Sequence, residues 1–189
     1  MIEKQFITAQ ELLEDSFRLG GKILASGFRP NFIVGIWRGG TPVGIAVQEV
    51  LDYFGIKTDH IAIRTSAYED IGKRKKEIKV HGLNYIIQNV NAEESLLIVD
   101  DVFDTGLSIK AVIRSLKTRS RKNTPQDIRV ATVYYKPKNN LTRTQPDFFI
   151  HKTDKWLVFP HEISGLSEEE IRMKKPEIVK LIREFKKNS

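Results

Sequence analysis

The stretch from Leu96 to Ser108 carries the residues whose types and spacing could bind a sugar phosphate. Asp100 and Asp101 follow a run of four apolar residues, so the sequence places two adjacent carboxylates at the end of a predicted buried strand. Two vicinal hydroxyls of a sugar can each donate to such an acceptor-only carboxylate, and a magnesium ion can bridge nearby oxygens. The sequence therefore predicts an acid pair that binds a sugar diol.

A short turn with a glycine and two hydroxyls comes next. It consists of Asp104, Thr105, Gly106, Leu107 and Ser108 and opens a predicted helix. Backbone N–H groups at a helix N-terminus, together with the helix dipole, form a site for one phosphate monoester. The chain length from acid pair to turn matches the reach from ribose hydroxyls to the 5-phosphate. The alternative is an exposed acidic turn with an ordinary helix cap.

A second glycine turn, Arg38-Gly39-Gly40, follows the apolar run Phe32–Ile36. Glycines let the backbone approach a ligand closely, and a guanidinium pairs with phosphate oxygens, so this turn suits a pyrophosphate. A plain connection between a strand and a helix is the alternative. The sequence has no G-x-x-x-x-G-K-[ST] motif and no G-x-G-x-x-G after a strand, which excludes a Walker loop and a dinucleotide fingerprint.

Hydrophobic patterning predicts the elements that must position these turns. The predicted strands are 32–36, 60–64, 96–99, 128–135, 148–151 and 156–159, with a short return strand near 78–81. The predicted helices are 9–26, a segment starting near Pro42, one after Gly106, and a final one from Pro176, preceded by a capping-box pattern at Ser167 and Glu170. This alternation predicts an α/β fold with a mostly parallel sheet flanked by helices, in which ligands bind beyond the carboxyl ends of the strands.

The composition of the chain excludes several kinds of functional site. The chain has 189 residues, which suits one domain, and the absence of cysteine excludes disulfides, thiolate nucleophiles and cysteine zinc sites. The net charge of +7 suits a partner with several phosphates, although the basic tail is also readily explained as a solvated face. No signal-peptide pattern and no apolar run near the roughly 18 residues of a membrane span are present, so we expect a cytoplasmic protein with no membrane partner.

The segment LLIVDDVFDTGLS resembles the phosphoribosyl pyrophosphate motif of type I phosphoribosyltransferases. From about Phe32 to Gly165 the chain is similar to the bacterial hypoxanthine and xanthine-guanine branch, with Trp37-Arg38-Gly39-Gly40, Tyr135-Lys136-Pro137 and Trp156-Leu157 in the expected order. The resemblance implies a single domain, 1–189, with a core at about 32–136, a small purine-binding hood from about 1–30 and 137–166, and a C-terminal helical tail at 167–189.

The resemblance also implies roles in binding the donor. Asp100 and Asp101 would hold the ribose hydroxyls, and the turn 104–108 would hold the 5-phosphate. Arg38, Gly39 and Gly40 would hold the pyrophosphate, and the Trp37–Arg38 peptide is expected to be cis. Magnesium is the expected cofactor, with Asp100 and Asp101 as ligands. Glu162 occupies the acidic position where the family often binds a second magnesium, although the family pattern leads us to expect an aspartate there.

For the base, the resemblance implies that Asp104 accepts a purine proton near N7, because a neutral 6-oxopurine is a poor nucleophile. A simple role in capping the turn is the alternative. Lys136 would donate to the 6-oxo group, which favours oxopurines over adenine. Trp156 would stack on the base, with an apolar core position as the alternative, and Leu157 would offer backbone groups to the purine edge.

The segment from Thr65 to Lys79, including Ser66 and Tyr68, is predicted to be a long mobile loop and is similar to the lid of this family. Such a lid excludes water while a cationic sugar centre is attacked. An uninvolved basic loop is the alternative.

The implied activity is purine salvage: phosphoribosyl transfer from phosphoribosyl pyrophosphate to hypoxanthine, guanine or xanthine, with release of pyrophosphate. We expect a homodimer or a homotetramer. One alternative is a regulator that senses phosphoribosyl pyrophosphate and binds nucleic acid, but no helix-turn-helix segment is appended, so a nucleic-acid partner is disfavoured. A second is a pyrimidine transferase, if Lys136 and Trp156 line a smaller pocket.

Overall fold

The computed structural model describes residues 3–68 and 77–188. The strands are β1 (Lys4–Phe6), β2 (Phe32–Trp37), β3 (Asp59–Tyr68), β4 (Glu77–His81), β5 (Ser95–Phe103), β6 (Asp127–Tyr135), β7 (Phe148–Lys152) and β8 (Trp156–Val158). The helices are α1 (Ala9–Ala25), α2 (Gly40–Tyr53), α3 (Asn84–Asn89), α4 (Leu107–Ser120), α5 (Glu168–Lys174) and α6 (Pro176–Asn188). Short 3₁₀ turns lie at Arg121–Asn123 and Pro137–Asn139.

Six of the strands form one sheet in the order β4-β3-β2-β5-β6-β7. All neighbours are parallel except β3 and β4, which pair antiparallel. The predicted α/β fold with a mostly parallel sheet flanked by helices is therefore confirmed. Because β2 and β5 are parallel neighbours, with Phe32 opposite Leu96, the turns that follow these two strands lie side by side.

Buried apolar runs explain why β2 and β5 lie at the centre of the sheet. Ile33–Ile36 and Leu96–Val99 are buried along their whole length, as expected of strands covered on both faces. Helix α2 packs on one face, where Gly44 lies against β2 and β5. Ile109 and Val112 of α4 pack on the other face, in a core shared with both strands.

The hairpin formed by β3 and β4 corrects the sequence prediction of a loop from Thr65 to Lys79. Thr65–Tyr68 continue β3 and pair antiparallel with Glu77–Val80, so Ser66 and Tyr68 lie in a strand and not in a loop. The return strand predicted near 78–81 is present as β4, whereas the extension of β3 to Tyr68 was not predicted, because it depends on pairing with β4 and not on residues 65–68 alone. Residues 69–76, including the lysine-rich run 73–76, lie outside the described part of the chain.

The chain forms two compact units, one of residues 1–9 and 155–189 and one of residues 10–154. The first contains a two-stranded parallel ribbon of β1 and β8, together with α5 and α6. The second contains the six-stranded sheet and helices α1 to α4. Helix α1 therefore belongs to the unit with the large sheet, whereas the sequence analysis assigned it to the hood. The division into core, hood and tail stays a prediction. Across residues 3–68 and 77–188, no helix is long and apolar enough to span a bilayer.

Candidate active site

The acid pair lies in the last part of β5, where the strand emerges from the core. Asp100 and Asp101 are partly buried, whereas the four residues before them are fully buried. The Asp101 N–H donates to Asp100 Oδ1 (3.0 Å), and the Val102 N–H donates to Asp101 Oδ1 (2.7 Å). Burial raises the pKa of the Asp100 carboxyl well above its ordinary value, and the charge of Asp101 raises it further. Such a pair favours a ligand that brings hydroxyl donors or a cation.

The glycine turn after β2 lies directly against this pair. A Cβ added at Gly39 would stand 1.7 Å from Asp101 Oδ2, and one added at Gly40 would stand 2.4 Å from the Val99 carbonyl oxygen. Only glycine therefore allows the turn to approach β5 this closely. The Trp37–Arg38 peptide is cis, as the family resemblance led us to expect, and the Arg38 side chain is exposed. The Arg38-Gly39-Gly40 turn and the acid pair thus lie against each other.

The turn after β5 leads into the N-terminus of a helix. Helix α4 begins at Leu107 after Gly106, which has φ 75° and no side chain that could cap the helix, and the Leu107 N–H donates to Thr105 Oγ1 at 3.4 Å. The first turn of a helix has N–H groups without intrahelical acceptors, so this end can receive an anion. A Cβ at Gly106 would also stand 2.6 Å from the Phe103 ring. Thr105 and Ser108, both partly exposed, flank this helix end.

Asp104 is the meeting point of two side chains from the segment after β6. Asp104 Oδ2 lies 3.4 Å from Lys136 Nζ, and its Oδ1 accepts from Asn139 Nδ2 (2.8 Å). The Asp104 side chain is 42% exposed, whereas that of Lys136 is only 8% exposed. A reachable carboxylate is therefore oriented by a buried ammonium and an amide. A capping role for Asp104 does not account for these two partners.

The strand β8 offers backbone groups on its outer edge. In its parallel pairing with β1, the Trp156 N–H donates to Glu3 C=O (3.2 Å) and the Val158 C=O accepts from Ile7 N–H (2.9 Å). Because alternate residues of a parallel strand bond to the same neighbour, the N–H and C=O of Leu157 point away from β1. The Trp156 side chain is 56% exposed, so it is not a core residue here.

The predicted site residues fall into two groups. The acid pair, both glycine turns, the Asp104–Lys136 pair and Ser66 lie in the unit of residues 10–154, where Ser66 Oγ lies 3.1 Å from His81 Nε2. Trp156, Leu157 and Glu162 lie in the other unit. Glu162 Oε2 accepts from the Phe159 N–H (2.9 Å), so one of its oxygens is engaged by the backbone.

Two residues near the site were missed by sequence reasoning. Sequence reasoning assigned Asn139 no role, yet its Nδ2 donates to Asp104 Oδ1 (2.8 Å). Thr132 stands opposite Asp100 in the β5–β6 pairing, and its buried Oγ1 has no hydrogen-bond partner in residues 3–68 and 77–188. The available signal was a single hydroxyl inside the apolar run of β6, because a buried polar group without a partner is costly and needs a reason.

Comparisons with known proteins agree with this geometry. A purine phosphoribosyltransferase from Pyrococcus horikoshii is 27% identical, with 87% of this chain and 97% of that chain covered and a TM-score of 0.65. A Neisseria gonorrhoeae protein with bound ppGpp (19% identity, 94% and 98% covered, TM-score 0.72) and the Helicobacter pylori xanthine-guanine-hypoxanthine phosphoribosyltransferase (18%, 92% and 98%, 0.63) share the fold.

No curated protein sequence matches this chain. The family model of the phosphoribosyl transferase domain does match, over residues 4–165. That range includes the acid pair, both glycine turns and β8. The resemblance noted from the sequence is thereby confirmed, and this chain belongs to the phosphoribosyltransferase family.

Proposed function

We propose that this protein transfers the 5-phosphoribosyl group from phosphoribosyl pyrophosphate to a 6-oxopurine and releases pyrophosphate, as a step of purine salvage. The observation that carries the proposal is the contact of Gly39 and Gly40 with the acid pair on β5. If the acid pair binds the ribose diol and the glycine turn binds the pyrophosphate, this contact would hold both parts of the donor in one site. As for its setting, we expect a cytoplasmic homodimer or homotetramer.

The donor would lie across the ends of β2 and β5. Asp100 and Asp101 would accept hydrogen bonds from the ribose hydroxyls, and the N-terminal turn of α4, with Thr105 and Ser108, would receive the 5-phosphate. The glycine turn would receive the pyrophosphate with its backbone N–H groups, and Arg38 would pair with its oxygens. The exposed position of Arg38 leaves its guanidinium available for this contact.

Magnesium fits the donor set of this site. Asp100 and Asp101 supply hard oxygen donors, and the mutual repulsion of the two carboxylates favours a cation between ligand and protein. Among the described residues, no group of three or more His, Cys, Asp or Glu could hold a metal alone. This agrees with an ion that takes one or two carboxylates and completes its shell with water and substrate phosphates. When bound, the ion would neutralise charge on the departing pyrophosphate.

The base would be recognised by the Asp104–Lys136 pair. In a 6-oxopurine, O6 and N7 are neighbours on one edge of the ring. The separation of 3.4 Å between Lys136 Nζ and Asp104 Oδ2 suits an ammonium that donates to O6 beside a carboxylate that accepts the proton of N7. The 6-amino group of adenine would turn a donor toward the ammonium and is disfavoured. The 27% identity to a purine enzyme supports the choice of a purine.

The reaction follows from these positions. The bond between C1 of the ribose and the pyrophosphate oxygen breaks, a bond from C1 to the purine nitrogen forms, and the base loses one proton to Asp104. Asn139 and Lys136 would keep the Asp104 carboxylate pointed at the base. Trp156 would stack on the purine, and the Leu157 backbone groups, which point away from β1, would bind its remaining polar atoms. A lid role for Ser66 and Tyr68 stays part of the proposal.

An assay of pyrophosphate release tests the proposal. Purified protein is given phosphoribosyl pyrophosphate and Mg²⁺ with hypoxanthine, guanine, xanthine or adenine in turn. We expect release with at least one 6-oxopurine and little with adenine. Tight binding of the donor without release for any base would refute the enzymatic proposal and favour a sensor.

A further inference from the structure

A buried lysine from the C-terminal helical segment holds the turn that follows β8. Lys175 lies between α5 and α6, is 4% exposed, and donates from Nζ to the carbonyl oxygens of Phe159 (2.8 Å) and Pro160 (2.9 Å). These carbonyls come directly after Trp156–Val158, the strand assigned to the base. Lys175 therefore fixes the backbone at the point where this strand ends.

Glu162 also stabilises this turn, through two hydrogen bonds with the Phe159 backbone. The Glu162 N–H donates to Phe159 C=O (3.0 Å), and Glu162 Oε2 accepts from the Phe159 N–H (2.9 Å). Phe159 is buried and stacks on His161, with ring centroids 5.8 Å apart. These contacts fix the conformation of the turn, and the hydrogen bonds of Lys175 connect the turn to the helical segment.

The strand supported by these contacts is too short to hold itself in place. β8 has three residues and pairs with only three residues of β1. A two-stranded ribbon of this size is marginally stable in water without further packing. The support comes from the helical segment, through Lys175 and through the ion pair of Lys4 Nζ with Glu170 Oε1 (2.6 Å). The position of the Leu157 backbone groups depends on these contacts.

The burial of Lys175 is energetically demanding. Burial lowers the pKa of Lys175, while the charges of Glu177 and Glu162 act in the opposite direction. Charge-assisted hydrogen bonds to two carbonyls offset the loss of hydration. Lys175 lies beyond residues 4–165, the range that matches the family model, so this support comes from outside the matched part of the chain.

We propose that Lys175 is a positioning residue for base recognition. By holding the carbonyls of Phe159 and Pro160, it sets where the Trp156 ring and the Leu157 backbone stand against the purine. The inference rests on the proposed function, in which β8 binds the base. Because the donor site is built from β2, β5 and α4, loss of Lys175 is expected to affect the base and not the donor.

The test compares Lys175→Met, which removes the donors but keeps the length, with Lys180→Met, a matched change at an exposed position of α6. We expect the KM for hypoxanthine and guanine to rise about tenfold or more in Lys175→Met, with the KM for phosphoribosyl pyrophosphate changed less than about twofold. Lys180→Met should behave as wild type. An unchanged base KM in folded Lys175→Met protein, or an equal rise in both KM values, would overturn the proposal.

A second variant covers the case in which Lys175→Met does not fold. Lys175→Gln keeps an amide donor, so its base KM should exceed that of Lys180→Met, with the KM for phosphoribosyl pyrophosphate unchanged; no rise in base KM over Lys180→Met would count against the proposal. If the wild-type protein releases pyrophosphate with none of the four bases, the proposed function is refuted, independently of the role of Lys175. Amide hydrogen exchange over residues 156–162 then tests whether Lys175 holds the backbone of this segment. Faster exchange in Lys175→Gln than in Lys180→Met supports this positioning role, and equal exchange overturns it.

Discussion

Replacing Gly39 by alanine tests the contact on which the proposed donor site depends. The added Cβ would stand 1.7 Å from Asp101 Oδ2 and 2.3 Å from Asp101 Cγ. The carboxylate would have to move by roughly 2 Å to reach an ordinary van der Waals separation. That movement would break the hydrogen bond from the Val102 N–H, which is 2.7 Å long. The substitution therefore disturbs the acid pair and leaves the rest of the sheet in place.

The Gly39→Ala substitution should have a small effect on the free energy of unfolding and a larger effect on donor binding. The displaced neighbour is the end of a side chain, so the free energy of unfolding should fall by no more than about 1–3 kcal/mol, the usual range for overpacking. A displacement of about 1 Å in a binding group can reduce activity about 100-fold. We therefore expect the Kd for phosphoribosyl pyrophosphate with Mg²⁺ to rise at least tenfold, or about 1.4 kcal/mol.

Isothermal titration calorimetry and urea unfolding measure the two quantities. The matched control is Gly21→Ala in α1, where an added Cβ meets nothing within 4 Å. Alanine in a helix interior should leave donor binding unchanged and raise stability by about 0.5–1 kcal/mol. Wild-type donor affinity in a folded Gly39→Ala protein would refute the assignment of the acid pair and glycine turn to one site.

Three further predictions concern other parts of the molecule. Asp104→Asn should lower kcat by about 10²- to 10⁴-fold with donor affinity retained, measured by pyrophosphate release; unchanged kcat would remove the proton-acceptor role. Lys136→Ala should cost about 1–3 kcal/mol in kcat/KM for 6-oxopurines, and an equal loss with adenine would contradict 6-oxo recognition. The hydrogen bond from Lys4, and then that from the Ser167 N–H, lower the pKa of Glu170 below its ordinary 4.5, so its stabilising effect is present above pH 4.5 and is lost on further acidification. Glu170→Gln should flatten the fall in the free energy of unfolding below that pH, with Glu169→Gln as control, and an unaltered acid profile would contradict the assignment.

The order of elements was predictable because hydrophobic periodicity carries it. The run Leu96–Val99, the acid pair and the glycine before α4 follow one another in the sequence, so the sequence predicted both the strand and the glycine turn that opens α4. In the same way, the capping box at Ser167 and Glu170 correctly marked the start of α5. These features depend on neighbours along the chain.

Features that depend on distant residues were not predictable. The contact between Gly39 and Asp101 requires β2 and β5 to be neighbours, which follows from the sheet order and not from either segment. The strand β1 was missed because its three residues become a strand only through pairing with β8. Asn139 was missed because its partner, Asp104, lies on a different element.

The parallel pairing of β2 with β5 also has a consequence for folding. Gly35 lies opposite Val99, and the two glycine-containing turns reach their final arrangement only after this long-range register has formed. A partly folded chain would therefore have no competent donor pocket, because loop closure between distant segments must precede it. Under the proposed function, the donor would bind only the folded sheet, so a higher donor concentration would stabilise the protein against unfolding by mass action.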